Sequence, residues 1–182
     1  MAVYAAFLRG VNLGKNRRVK NEALKAAFEG LGLEGVVTFR ASGNVVFYSG
    51  REESEDELQA RVEAGLADAL GFEVAIFLRS ARQVRAIAAH EPFAAAQVSS
   101  STGKLQVALL PDAPGAPVRK KALALAGEQD PLAIRGRELY WLPKARMVES
   151  ELDLRALESL VGPWTMRTMG TIEQIAAKHC AG

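Results

Sequence analysis

Val3 to Leu8 is apolar or aromatic at every position, so a strand formed there must be covered on both faces. After a polar, glycine-bearing loop, Leu24, Ala27, Phe28 and Leu31 recur at helical spacing, and Gly32 stops that helix. Val36-Val37-Thr38-Phe39-Arg40 and Val45-Val46-Phe47-Tyr48 flank Ser42-Gly43-Asn44, the pattern of a hairpin. Arg51 to Glu57 is a charge run and reads as a solvated connection. Within it, Ser54 and Glu57 form a capping box for a helix carrying Leu58, Val62, Leu66 and Leu70. Val74 to Leu78 supplies a fourth strand. The order β-α-β-β-α-β is the ferredoxin-like arrangement.

The pattern then recurs. Ser80 and Gln83 cap a helix through Val84 and Ile87 that Pro92 ends, and Ala95 to Gly103 is small, polar and suited to a boundary. Lys104 to Leu110 predicts a strand, and Pro117 opens a helix over Val118, Ala122 and Leu125. Leu132-Ala133-Ile134 and Leu139-Tyr140-Trp141 flank Arg135-Gly136-Arg137 as a second hairpin. Ser150 with Asp153 starts a helix, Trp164 to Arg167 forms a short strand, and Thr171 with Gln174 caps a closing helix. The expected fold is α+β, with two ferredoxin-like βαββαβ units in tandem, packed together. Residues 1–80 form the first unit, 81–103 a connecting helix and linker, and 104–182 the second unit with a C-terminal helix. The copies share order, not obvious residue identity. Tyr4, Ala6 and Leu8 alternate with Val3, Ala5 and Phe7, so neither row of the first strand is polar. The sheet face left bare by the unit's own helices is therefore expected to be buried by the other lobe or a partner chain.

Composition adds bounds. A chain of 182 residues with 49% hydrophobic and 24% charged positions has enough apolar material for a real core. A net charge of +2 is too small to argue for wholesale nucleic-acid or membrane binding, so any basic character must be local. The single cysteine, Cys180, excludes an internal disulfide and a cysteine zinc site, and its position suggests a frayed terminus. No apolar run approaches the roughly 18 residues of a membrane span, and the N-terminus lacks the basic start of a signal peptide. A cytoplasmic location is the expectation.

Local basic character is found in one place. Phe7 to Lys20 runs from a strand into a turn with Gly10 and Gly14 and five cations, and then into a helix. Lys15, Arg17, Arg18 and Lys20 crowd a helix N-terminus, where the dipole disfavours cations by a few tenths of a kcal/mol each. An anion bound there would resolve the conflict, because unpaired N–H groups and glycine backbone cradle anions well. In a ferredoxin-like unit the first two strands run the same way, so Arg9 to Lys20 and the Ser42–Asn44 turn emerge at one sheet end. Arg9, Gly10, Asn12, Gly14, Lys15, Ser42, Gly43 and Asn44 are the candidate ligand-binding residues. Arg9 and Lys15 would supply charge and the glycine amides hydrogen bonds. Asn12 and Asn44 would lock the loops or touch the ligand. The competing reading keeps both asparagines as turn formers and the cations as solvated surface.

Gly10, Gly14 and Lys15 invite comparison with the phosphate loop Gly-x-x-x-x-Gly-Lys-Ser/Thr, but the loop is one residue short. Asn16 stands where the magnesium-binding hydroxyl belongs, which rules against a nucleoside triphosphatase. An RNA-recognition sheet would need stacking aromatics on its third strand, whereas adjacent Phe47 and Tyr48 fall on opposite faces. His90 suits a helix C-terminus, where a cation complements the dipole, and His179 sits in the terminal helix. The two are not at ligand spacing, so no metal and no cofactor is assigned. Ser54, Ser80, Ser150 and Thr171 are explained as caps, and no residue takes a catalytic role.

Leu8-Arg9-Gly10-Val11-Asn12-Leu13-Gly14-Lys15-Asn16, Val19-Lys20 and Ser42-Gly43-Asn44-Val45-Val46-Phe47 carry a family resemblance. The chain resembles the uncharacterised bacterial DUF1697 family, whose members begin with a similar Leu-Arg-Gly-Ile-Asn-Val-Gly segment and carry Ser-Gly-Asn-Val. The resemblance runs essentially the full length and weakens near the C-terminus. There the family tends to Thr-x-Arg-Asn-Trp-Asn-Thr, against Thr165-Met166-Arg167-Thr168-Met169-Gly170-Thr171 here. The resemblance implies a two-part α+β fold and no activity. The favoured function is binding of a small anionic ligand, phosphate- or nucleotide-like, at the Arg9–Lys20 end. The alternatives are RNA or DNA binding through the same basic loop, and a protein-interaction module.

Overall fold

The strand pairings of this computed structural model, which describes residues 2–11, 18–40 and 43–180, organise the chain into two four-stranded antiparallel sheets. The first holds β1 (Ala2–Leu8), β2 (Glu34–Thr38), β3 (Asn44–Ser49) and β4 (Ile76–Ser80), in the order β2-β3-β1-β4. The second holds β5 (Gln106–Leu109), β6 (Leu132–Arg135), β7 (Glu138–Trp141) and β8 (Thr165–Thr168), in the order β6-β7-β5-β8. Helices α1 (Asn21–Gly30) and α2 (Glu55–Leu70) serve the first sheet, and α5 (Ala116–Leu123) and α6 (Leu154–Val161) the second. In chain order α3 (Ala81–Ala88) and α4 (Ala95–Ser100) come between β4 and β5, and α7 (Met169–His179) follows the last strand. Two compact units result: Met1–Arg85 with Ile175–Gly182, and Ala86–Gln174.

Local chemistry explains most helix starts. Ser54 Oγ accepts the Glu57 amide at 3.2 Å while the Glu57 carboxylate takes the Ser54 amide at 2.7 Å, the reciprocal box expected of that spacing. Ser80 and Gln83 repeat the exchange ahead of α3. Two expected caps differ. Ahead of α6 the cap is Asp153, which accepts the Ala156 amide at 2.9 Å, while Ser150 turns its hydroxyl to Asp130. The closing helix starts two residues before Thr171, and Thr168 Oγ1 accepts the Thr171 amide at 3.3 Å. For the closing helix the cap is the last residue of β8, which already has the extended backbone a cap requires.

Each unit has its own core. In the first, Ala6, Leu8, Val45, Phe47 and Leu78 meet Leu24 and Phe28 of α1 and Leu58, Val62 and Leu66 of α2. The Phe28 and Phe47 rings lie 5.4 Å apart. Burying each of these large side chains is worth about 1.5–3 kcal/mol. In the second, Ala108, Leu110, Leu139 and Trp141 meet Ala122, Leu157 and Val161. The other row of the first sheet is buried too, at Ala5, Phe7, Val46 and Phe77, as the doubly apolar β1 required.

One feature of that row recurs. Arg79 lies opposite Ala5 and is buried, donating to the Leu78 carbonyl at 2.8 Å. Arg167 lies opposite Val107 and is buried, donating to the Met166 carbonyl and to Thr165 Oγ1, each at 2.8 Å. Burial pulls the Arg167 guanidinium down to about 10, so it still carries its proton at neutral pH. Each arginine precedes a hydroxyl cap and a helix: Ser80 with α3, Thr168 with α7.

Candidate functional site

The candidate segments meet where β1 leaves its sheet. Leu8 donates its amide to the Gly43 carbonyl at 2.8 Å, and Phe7 lies opposite Asn44 in the ladder. On the other side, the Arg9 amide reaches the Ala75 carbonyl at 2.9 Å, which holds the start of the loop against the entry to β4. Gly10 (φ 75°) and Gly43 (φ 76°) are both left-handed, so each turn needs its glycine. A Cβ on Gly43 would lie 2.4 Å from Val11 Cγ2 and 3.0 Å from Leu8 Cβ, so the loop rests directly on the turn.

Asn44 is buried, and its Nδ2 donates to the Phe39 carbonyl at 2.8 Å while its own carbonyl accepts the Phe39 amide at 2.9 Å. That closes the turn from below and gives Asn44 the loop-locking role. Arg9, Gly10, Gly43 and Asn44 are thus brought to one sheet end. Asn12, Gly14, Lys15 and Ser42, which the sequence adds to the same site, lie outside the described residues. Arg18 and Lys20 are exposed ahead of α1, whose N-cap Lys20 makes no side-chain capping bond. Glu22 in the first turn supplies the one favourable charge there.

The structure adds residues that the sequence pattern did not assign to the site. Arg40 follows Phe39 with φ 59°, an uncommon conformation for a side chain of that size. Its guanidinium carbon lies 5.6 Å from the Phe39 ring centre, and Lys178 Nζ reaches the same ring at 5.6 Å. The His179 ring meets it edge-on at 6.0 Å. Two cations, Arg40 in its strained conformation and Lys178, thus share one aromatic ring beside this turn. Positive φ at a non-glycine position carries no sequence signature, and Lys178 and His179 are about 140 positions away in the chain.

Other residues singled out by sequence fall away. Cys180 is buried, and its carbonyl accepts a hydrogen bond from Arg85, so the chain is docked through residue 180 and not frayed. Burial raises the Cys180 thiol, with Arg85 partly opposing, which argues against a thiolate nucleophile. His90 is not a dipole-complementing cation. Arg135 Nη1 donates to its Nδ1 at 3.0 Å, which makes Nδ1 an acceptor and the ring neutral, and the ring lies edge-on to Tyr140 at 5.0 Å. Desolvation and then Arg135 lower its pKa, against a smaller pull from Glu138. With the folded value below the unfolded one, stability is intact above about pH 6.5 and is lost as pH falls through the folded value. His90→Gln should flatten the fall in denaturation midpoint between about pH 7 and pH 5. An unchanged profile would show that the imidazole does not contribute. Among the described residues, no group of three histidines, cysteines or carboxylates could hold a metal ion. None of their helices is long and apolar enough to cross a membrane.

The family model described as "Protein of unknown function (DUF1697)" matches residues 1–140. The chain belongs to the DUF1697 family. The match takes in the first unit's strands, both glycine segments and the second unit as far as Tyr140 within β7, and ends before the altered 165–171 segment. No curated protein matches this DUF1697 chain. Among solved structures it is similar to the conserved bacterial protein SP0830 from Streptococcus pneumoniae. The two are 21% identical with a TM-score of 0.72, over 97% of each chain. At that identity the likeness shows a shared fold over the whole chain and nothing about chemistry.

Proposed function

We propose that this DUF1697 protein binds a small anionic ligand, of the phosphate or nucleotide class, at the end of the first sheet where β1 meets the Gly43 turn. The observation that carries the reading is the Leu8–Gly43–Val11 contact, which joins two glycine-bearing segments at one sheet end. Arg9 and Lys15 supply charge from the loop, and Arg40 and Lys178 from the far side of the turn. The amides of Gly10 and Gly14, with the first turn of α1, supply hydrogen bonds to oxygen. We further read the two units as copies of one ferredoxin-like βαββαβ unit working in the cytoplasm. Their matching strand orders and the Leu8–Gly43 and Leu110–Arg137 amide bonds support common descent. The corresponding turn in the second unit carries Arg137 where the first has Gly43, so the cradle belongs to the first copy.

Thermal melts with phosphate, sulfate and nucleotides test the site. At tenfold excess over Kd the binding ligand should raise the melting temperature by about 3–6 °C. Lys15→Ala and Arg40→Ala should each reduce that shift, and a shallow salt dependence separates a small ligand from a nucleic-acid backbone. Equal shifts in parent and variants, or none in any, would return the loop to scaffold.

A further inference from the structure

A second concavity, in the other unit, has the opposite sign. It encloses about 540 Å³ beside β7 and the segment that leads to α6. Four carboxylates line it (Glu128, Asp130, Glu149 and Glu151) against one guanidinium, Arg146. Arg146 is already committed, since its Nη2 and Nε hold Glu149 at 2.6 and 3.1 Å. Glu128 and Glu151 have no ion-pair or hydrogen-bond partner among the described residues.

Asp130 makes this more than a charged surface. It is 5% exposed, yet both hydrogen bonds to its side chain fall on one oxygen. Trp141 Nε1 donates to Oδ1 at 2.8 Å, and Ser150 Oγ at 2.6 Å. Oδ2 has no donor among the described residues, and no fully enclosed side-chain oxygen or nitrogen among them lacks a partner. Oδ2 is therefore not fully enclosed, on a residue that lines the cavity. A carboxylate oxygen on a residue this little exposed gains when a bound cation supplies a charge-assisted N–H donor in place of water. The acids are not grouped for a metal ion. Leu125, Leu152 and Pro143 give the same cavity apolar wall. Carboxylate acceptors that share a cavity with apolar surface match an alkylammonium, which carries N–H donors on a methylene chain.

We propose that this cavity binds alkylammonium cations, with an ammonium seated on Asp130 Oδ2 and the alkyl chain against Leu125 and Leu152 toward Glu128 or Glu151. The same chemistry is offered by a free polyamine and by a lysine side chain. The test is calorimetric titration of the full chain at fixed ionic strength with spermidine, N-acetyl-lysine amide, tetramethylammonium and Mg²⁺. Spermidine or the lysine amide should bind about tenfold more tightly than tetramethylammonium, which lacks N–H donors, or Mg²⁺. The tighter of the two identifies the source. Asp130→Asn keeps an acceptor for Trp141 and Ser150 and should weaken that binding about tenfold or more. Equal binding of all four cations, or none, would overturn the proposal. So would unchanged affinity in a folded Asp130→Asn protein. Should that variant fail to fold, Glu128→Gln with Glu151→Gln, at exposed positions, must weaken binding, and unchanged affinity there overturns it as well.

Discussion

Gly43→Ala is expected to lower unfolding free energy by about 3 kcal/mol or more, the sum of two separate penalties. The first is conformational: a φ of 76° costs a residue with a Cβ about 1–2 kcal/mol. The second is steric. The new methyl would fall 2.4 Å from Val11 Cγ2 and 3.0 Å from Leu8 Cβ, two buried side chains of the first core, and overpacking of that kind costs about 1–3 kcal/mol. Gly71→Ala separates the two. Gly71 ends α2 with φ 78° and has open space within 4 Å of where a methyl would sit, so only the conformational part applies there. Urea denaturation should show a much larger midpoint shift for Gly43→Ala at similar slope. Equal shifts would mean that the Val11 loop yields freely and that the turn is not packed as described. The comparison bears on function, because the same contact holds the two candidate binding segments together.

Gly103→Ala should be comparably damaging, at about 3 kcal/mol, for a different reason. Its backbone is not left-handed, so conformation costs little. A methyl there would instead lie 2.1 Å from the Pro143 carbonyl oxygen and 2.4 Å from that of Ala145. Backbone oxygens cannot swing aside as a side-chain tip can, and these are anchored. Ser101 Oγ donates to the Pro143 carbonyl at 2.5 Å, and Thr102 donates its amide and its hydroxyl to Lys144, each at 3.0 Å. The variant must pull residues 101–103 off residues 143–145, losing these bonds together. Gly127→Ala, with nothing within 4 Å, is the control and should change stability far less. A small effect for Gly103→Ala would show that the 101–103 segment is held loosely. A large one would bring a change at the neighbouring acidic cavity, which Pro143 and Ala145 also line.

Short-range chemistry was legible in the residues themselves. The Ser54–Glu57 and Ser80–Gln83 boxes join positions three apart, and their geometry follows from any helix start. The wholly apolar run before Arg9 required cover on both faces, and Ala5, Ala6, Phe7 and Leu8 are all buried. The Gly43–Asn44 turn and its approach to the first loop followed from strand direction, since two strands leaving one sheet end bring their connections together. The DUF1697 motifs lie within these same local segments. For that reason family and element order could be read before any contact was known.

Long-range partners needed the tertiary structure. Nothing local tells Ser150 to bond Asp130 instead of capping α6, and Asp130 is twenty residues away. The stretch from Ala95 to Gly103 has linker composition, yet it contains a helical turn and then bonds to residues 143 and 144, because carbonyls there accept its hydroxyls. Lys178 and His179 joined Phe39 only because the chain end returns to the first unit. Hydrophobic period and capping act over three or four residues, so they write elements into the sequence. Which polar groups finally share a turn or a cavity depends on loop closure over tens of residues, and that only the packed chain decides.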